Sequence, residues 1–479
     1  MASSSLSTRI LKAMGMFGGM QVAVIALSVV RNKFVAIWLG PVGVALNAIF
    51  ISTQDLIGAA LGLNLRTSGV RELSACAPTE RARVAGALLR VGLALSAAGA
   101  VLTALLSPLL SQVSMGTAGC GWWFALRGIG VGASLRCDAD IAALQAAGQL
   151  GSIARVTLAS AALITVVAVP LYYFLRLQAV LPVYLLMSVS FAVWARRERR
   201  RRCAAPERTR LREAVRLARP MLRLGMYLTL AAVAERLGSY IFIVYMNREA
   251  SAGDLGIYQA GFTMTSSYIG IIFTAITTEY YPRLASVSAS ALRTRAYVGQ
   301  EFRISAWVLT VVVVLFIAAD ELIVRVLYSR GFLAMLPFIS IAICGVMFRA
   351  FSFCTAFVIL ARGDGRTFVV TESLGVLAGL VLKIAGFRWM GFAGLGVAYV
   401  AEQAIYAAIV WAVYRRRYRL PAPRGVFGLL WGSTATGAAA LALKVLLGWW
   451  APLLLLPAVV PAAWRHIMTN KRRGAVVKK

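Results

Sequence analysis

Histidine is all but missing from this chain. His466 is the only one in 479 residues, and it stands in the C-terminal tail. Catalysis through imidazole and a metal site ligated by histidines are therefore not expected. Acidic side chains are scarce as well: 18 Asp and Glu face 50 Lys and Arg, for a formal net charge of +32. Cysteine is used sparingly, and Cys76, Cys120, Cys137, Cys203, Cys344 and Cys354 form no CxxC pair. Lying mostly in or beside apolar runs, they read as small buried hydrophobes, not as disulfides or metal ligands. A long polar stretch is also missing. The longest, from Arg196 to about Pro220, is too short for a soluble catalytic domain, which takes ~50 residues or more. No cleavable signal peptide is evident. The first apolar run starts at about Met14 and continues past ~25 residues without a small-residue cleavage pattern, so it reads as a span that stays.

What fills the chain is apolar. It is 60% hydrophobic, with a mean hydropathy of +0.77. About fourteen apolar runs of roughly 16 to 27 residues follow one another, and ~20 such residues cross a bilayer as a helix. Spans are placed near 14–38, 42–64, 85–107, 120–137, 156–175, 178–195, 222–246, 255–279, 302–324, 336–360, 367–387, 391–414, 425–447 and 449–464. The last is short and broken by Pro452 and Pro457, so twelve to fourteen crossings fit. Charge orients them, because Lys and Arg collect in cytoplasmic loops. Every second gap is rich in Arg: 66–83, 136–155, 196–219, 283–303, 362–366, 415–424 and the tail from Arg465 to Lys479. The gaps between them are sparse. The stretch 108–119 has no basic residue, Arg176, Arg248 and Arg388 stand singly, and the gap beside Asp320 and Glu321 has Arg325 and Arg330. The expected fold class is an all-α polytopic membrane protein of about fourteen transmembrane helices, N-in and C-in. The same bias explains most of the net charge and makes anionic phospholipid headgroups natural partners. Nucleic acid is not expected, since no recognition module appears.

The Arg196–Arg219 stretch carries eleven arginines against Glu198, Glu207 and Glu213. It follows the sixth span, which suits a connector between two six-span halves. A solvated loop that fixes topology accounts for it, and a contact with lipid headgroups or a partner protein is the alternative. The expected divisions are 1–195, the connector 196–220, 221–420, and 421–479 with two extra helices and a basic tail. A weak repeat points the same way: Gly40-Pro41-Val42-Gly43 opens the second span and Gly253-Asp254-Leu255-Gly256 the eighth. Chance similarity of two apolar helices would give the same signal, although transporters are often built from such repeats. Gly58–Gly62 and Gly375–Gly379 suit close helix packing. Asp138-Ala-Asp140 has the DxD form of nucleotide-sugar enzymes, but with no soluble domain around it a cytoplasmic helix start is the expectation.

Ionisable residues inside the apolar runs carry the chemistry. They are Arg31, Lys33, Asp55, Arg127, Glu235, Arg236, Arg349 and Glu402. Facing lipid, each would cost about 2.5–3.5 kcal/mol, and together on the order of 20 kcal/mol, more than the net stability of a typical domain. They must face one another or a wet interior. Five are basic and three acidic, which suits an anion, and Arg binds phosphate with two parallel hydrogen bonds. Arg31, Lys33, Arg127, Arg236 and Arg349 are therefore candidate binders of an anionic substrate. Asp55, Glu235 and Glu402 are candidates for coupling to H+ or Na+. Arg90, Glu279, Glu372 and Lys383 lie nearer span ends, where snorkelling is expected. Trp122, Trp123, Tyr258 and Tyr268 offer faces for stacking on sugars, with interfacial anchoring or packing as the plainer account.

Several segments resemble one family. Met16-Phe-Gly-Gly-Met-Gln, running into Arg31-Asn-Lys-Phe-Val-Ala-Ile-Trp-Leu-Gly-Pro-Val-Gly, is similar to the opening of bacterial O-antigen and polysaccharide flippases. These belong to the multidrug/oligosaccharidyl-lipid/polysaccharide (MOP) exporter superfamily. Asp254-Leu-Gly-Ile-Tyr-Gln-Ala-Gly resembles the start of their second half. Glu279-Tyr-Tyr-Pro-Arg-Leu, Val326-Leu-Tyr-Ser-Arg-Gly-Phe and Leu360-Ala-Arg-Gly-Asp-Gly-Arg follow in the family's order, over roughly 10–420. The resemblance implies two six-helix lobes around a central cavity, with two further C-terminal helices as in the peptidoglycan-precursor branch. It implies a flippase that turns undecaprenyl-diphosphate-linked oligosaccharide from the cytoplasmic to the periplasmic leaflet of the bacterial inner membrane by alternating access. Arg31 and Lys33 sit in places comparable to first-helix arginines of that branch, although the spacing differs. No cofactor is expected beyond coupling to an H+ or Na+ gradient or to the membrane potential. Other membrane proteins of polysaccharide assembly are candidate partners. A multidrug or cation antiporter of the same superfamily is one alternative, which the basic set argues against. A membrane-embedded transferase acting on lipid-linked sugar is another, disfavoured by the missing soluble domain and histidines.

Overall fold

A computed structural model describes residues 2–464, apart from 78, 208, 271, 274–279, 281–282, 285–286 and 289. The basic tail from Arg465, with His466, and the end of the eighth expected span, with Glu279, lie outside the described residues. Among the described residues the only regular structure is helical. That follows from the composition, since in lipid a helix satisfies its backbone N–H and C=O groups within one segment. Helix covers every expected span that is described. Among the described residues seven helical stretches are long and apolar enough to cross a membrane, and two of them, Leu150–Arg202 and Gly365–Arg417, are each 53 residues long. The protein is a multi-pass membrane protein.

The chain divides into two compact units, Met1–Gly256 with Leu327–Ser329, and Ile257–Val326 with Arg330–Lys479. The first contains α1 (Ala2–Trp38), α2 (Gly40–Gly62), α3 (Leu65–Ala75), α4 (Arg81–Leu105), α5 (Ser107–Met115), α6 (Gly121–Ala146), α7 (Leu150–Leu175), α8 (Val180–Arg202), α9 (Leu211–Leu217) and α10 (Arg219–Glu249). α6 packs against α4 on one side and α8 on another, α1 pairs with α7, and α10 lies along α2 and α3. The two repeat openings meet. A side chain at Gly256 would collide with the carbonyl of Pro41, so the backbones touch where each motif starts its helix.

The connector is more ordered than a solvated loop. α8 extends the sixth span to Arg202, and Glu207 donates its N–H to the carbonyl of Ala82 at 3.0 Å. α9 then buries Ala214 beside Leu88 and Ala142, and Glu213 pairs with Arg83. Its outward face keeps Leu211 and Val215 exposed among Arg212, Arg216 and Arg219. A basic, partly apolar strap is thus docked on the first unit.

α11 (Ala252–Phe262) bridges the division in sequence. The second unit continues with α12 (Ala291–Leu327), α13 (Leu336–Ala342), α14 (Val346–Ala361), α15 (Gly365–Ala412), α16 (Val426–Leu447) and the short apolar α17 (Ala451–Trp464). Its core gathers Phe302, Val313, Met347, Phe351 and Leu430. α15 is two helices joined at Gly391, whose φ of 57° is open to glycine at little cost. The expected spans 367–387 and 391–414 are its two arms. Trp122, Tyr173, Phe174, Trp389, Trp449 and Trp450 are exposed at or near helix ends, where amphipathic rings anchor a membrane interface.

Candidate functional site

In the first unit four of the candidate charges sit on α1, α2 and α6. Arg31 on α1 is half-buried and contacts the sulfur of Met187 on α8 at 3.6 Å. It has no carboxylate partner among the described residues. Lys33, half a turn further, donates to the backbone carbonyl of Tyr328. Helical spacing places the two on different faces of α1. Arg127 on α6 is wholly buried. One Nη2 donates to Gln54 Oε1 at 2.8 Å and the Phe50 carbonyl at 3.1 Å, and the guanidinium lies 3.5 Å over the Tyr184 ring. Its Nε and Nη1 have no hydrogen-bond partner.

Asp55 on α2 and Arg236 on α10 form a salt bridge at 3.0 Å, with both side chains more than a third exposed. Glu235, the neighbour of Arg236, is exposed and makes no ion pair among the described residues. Adjacent helical residues point in different directions, which is why only one of the two reaches α2.

In the second unit Arg349 on α14 is half-buried. It donates to the Ser266 carbonyl at 3.4 Å and lies 5.0 Å over the Phe273 ring. Glu402 is paired at 2.9 Å with Lys383, from the other arm of α15. Lys383 does not snorkel, contrary to the expectation from its place near a span end. Glu402 holds its ammonium inside the hairpin. Glu372 likewise accepts from Tyr406 across the same hairpin. Gly379 supplies the space: a Cβ there would stand 2.5 Å from the Glu402 carboxyl carbon.

Two further clusters carry no local sequence signal. Asp140 does not start a helix, contrary to expectation. It lies well inside α6, wholly buried, and accepts from Arg199 of the connector end of α8, with Arg136 at 3.4 Å. Asp320, at the outer end of the expected span 302–324, is wholly buried in α12, where it pairs with Lys444 of α16 and accepts from Ser340. Their partners lie 59 and 124 residues away, so only the fold reveals them. Among the described residues no three His, Cys, Asp or Glu gather as metal ligands. All six cysteines are free. Tyr258 is buried, stacked between Phe262 and Phe338, so packing accounts for it, while Trp122 is exposed and stands beside Trp123.

The profile of a family described as "polysaccharide biosynthesis protein" matches residues 84–337, more than half of the chain. The chain belongs to this family. No curated protein gives a significant match. The fold is shared with solved transporters. A structure of "Lipid II flippase MurJ, inward closed conformation" superposes with a TM-score of 0.70 at 11% identity, over 95% of this chain and 99% of that one. An inward-facing multidrug resistance MATE family transporter of the MOP superfamily gives 0.66 at 17% identity, over 84% and 94%. A MOP superfamily transporter from Pyrococcus furiosus gives 0.60 at 16%, over 87% and 96%. The polysaccharide family expected from the motifs is borne out by the family match, and the fold is that of solved MOP-superfamily transporters.

Proposed function

We propose that this protein is a flippase that turns a polyprenyl-diphosphate-linked oligosaccharide, the repeat unit of O-antigen or another surface polysaccharide, from the cytoplasmic to the periplasmic leaflet of the bacterial inner membrane. About fourteen crossings, N-in and C-in, in two six-helix lobes with two added helices, provide the frame for alternating access. The observation that carries the reading is the excess of intramembrane arginine held only by neutral groups. Arg31, Arg127 and Arg349 are satisfied by a thioether, backbone carbonyls, an amide and aromatic faces. Among the described residues no carboxylate bonds any of the three, and Asp55, in electrostatic range of Arg127, is itself paired with Arg236; such positive charge suits an anion, and a diphosphate matches the guanidinium fork. The family description supports a polysaccharide pathway, and the lipid II flippase shows that this fold serves lipid-linked cargo.

In the proposed cycle Arg31 meets the diphosphate first. Lys33 and Arg236 then exchange the Tyr328 carbonyl and Asp55 for phosphate oxygens, while the polyprenyl tail stays in lipid. Neutralising the basic set lowers the cost of closing it, and rocking exposes the sugar outside. The MATE likeness keeps a cation antiporter in view, but Asp55 and Glu402 already hold Arg236 and Lys383. A leaflet-sidedness assay in proteoliposomes, with lipid-linked oligosaccharide, tests this. Arg31→Ala should slow flipping at least tenfold, and Arg31→Lys, which keeps charge but loses the fork, should fall between. Wild-type rates in both Arg31→Ala and Arg236→Ala reject these residues as the diphosphate site.

A further inference from the structure

Glu402 is one of the three carboxylates, with Asp55 and Glu235, that an ion-coupling reading of the sequence selects. It sits about 16 Å of helix rise from the turn at Gly391, near the middle of its arm, and its side chain is 17% exposed. Lys383, 18% exposed, places its Nζ 2.9 Å from Glu402 Oε2. The site is built for this contact. Gly379, one turn before Lys383, leaves the gap that the Glu402 carboxyl fills. The phenols of Tyr258 on α11 and Tyr399 on the second arm lie within electrostatic range of Lys383. The Tyr399 hydroxyl is buried with no hydrogen-bond partner. One turn along, Tyr406 and Glu372 satisfy each other.

From this geometry we propose that Lys383 is the built-in counter-cation of Glu402, filling the place that a free monovalent cation would otherwise take. A lone charge at this depth is costly, so neither partner is tolerated without the other. An incoming Na+ would have to displace an ammonium tethered to the same hairpin. It would then leave that ammonium buried beside two phenols. Asp320 with Lys444 repeats the device in the same unit. Among the expected coupling carboxylates, Asp55 is also occupied, by Arg236. The second unit therefore carries its cations covalently. The inference stands whichever substrate is moved.

The full-length protein in detergent tests it through thermal unfolding in NaCl against choline chloride at equal ionic strength. Mildly alkaline pH keeps a freed carboxylate ionised. Wild type should melt at the same temperature in both salts. Lys383→Ala should melt lower in choline chloride and recover in NaCl, and the recovery should vanish in Lys383→Ala with Glu402→Gln. A well-folded Lys383→Ala protein indifferent to Na+ overturns the proposal. Radioactive Na+ binding to wild type and to Glu402→Gln gives a readout that does not depend on the alanine variant folding. No difference between them agrees with a filled site, and binding lost in Glu402→Gln shows that Na+ takes the carboxylate despite the lysine. Neither assay involves flipping, so failure here is separate from failure of the flippase reading.

Discussion

Replacing Asp140 by Asn should be among the most destabilising single changes in the first unit that leave side-chain size intact. Asp140 is wholly buried, Arg199 is 7% exposed and Arg136, at 3.4 Å, is 16% exposed. Each guanidinium–carboxylate contact within 4 Å is worth at least about 4 kcal/mol of raw attraction at an effective dielectric near 20. Desolvation consumes much of that, which is why burying such a pair adds little net stability. Removing one partner is different, because the other remains buried and uncompensated, at a cost of about 3–5 kcal/mol. Asp140→Asn leaves two guanidinium groups facing an amide and should reach that range. Arg199→Met leaves Asp140 with Arg136 still beside it and should cost less, about 1–3 kcal/mol. Asp140→Leu with Arg199→Met should recover most of the loss, as apolar replacements of buried pairs do. Melting curves in detergent, followed by tryptophan fluorescence, rank the three. Wild-type melting of Asp140→Asn, or a lower midpoint for Arg199→Met than for Asp140→Asn, refutes the electrostatic account of how α8 is held to α6.

Three other outcomes follow from the same geometry. Asp364 caps α15. Burial works to raise its carboxyl, but hydrogen bonds from the Thr367 side chain and N–H, Tyr418 and Arg417 prevail and hold it at about 2. Its folded value lies below the ordinary 3.8, so its contribution, about 1 kcal/mol after screening of the exposed Arg417, is full above pH ~4 and lost as pH falls through about 2; the melting gap between wild type and Asp364→Asn should close over that window. Arg212→Gln with Arg216→Gln should reduce retention of the protein on vesicles rich in phosphatidylglycerol, each Arg near such a surface being worth about 1 kcal/mol, and unchanged retention argues for a merely solvated strap. Arg127→Met should melt at or above the wild-type temperature, since it removes a buried charge with two unpartnered nitrogens; slowed flipping at that higher stability would assign Arg127 a role in transport, and a lower melting temperature would show that stacking on Tyr184 outweighs desolvation.

The helices were legible because each apolar run has no alternative in lipid. The pairing of their charges was not. Glu402 stood out as an acid in an apolar run, but its partner Lys383 sits on the other arm, and only the turn at Gly391 brings them together. Asp140 was misread for the same reason. Its neighbours Asp138 and Arg136 suggest a loop edge, whereas Arg199, from a connector expected to be solvated, extends the helical stack around it. Repeat glycines were visible as weak similarity, but that Gly256 abuts Pro41 is a property of packing. Sequence records where charge is expensive, and the fold decides which charge answers it.

That distinction sorts the cations into two populations. Arg199, Arg236, Lys383 and Lys444 each meet a carboxylate. The buried pairs tie one helix to another and leave nothing to attract a solute, whereas Arg236 and Asp55 are both more than a third exposed and their pair can exchange. Among the described residues Arg31, Arg127 and Arg349 bond only dipoles and rings, with Asp55 in electrostatic range of Arg127. Dipoles lower the cost of such a charge without cancelling it, so the positive potential persists. Glu235, exposed and without an ion pair among the described residues, offsets one of the three at most. A protein selected only for stability would have traded these arginines for leucine or methionine, which pack in lipid at no electrostatic cost. Their presence on three different helices, with acids elsewhere in the same membrane segments, is the feature that the proposed diphosphate ligand answers.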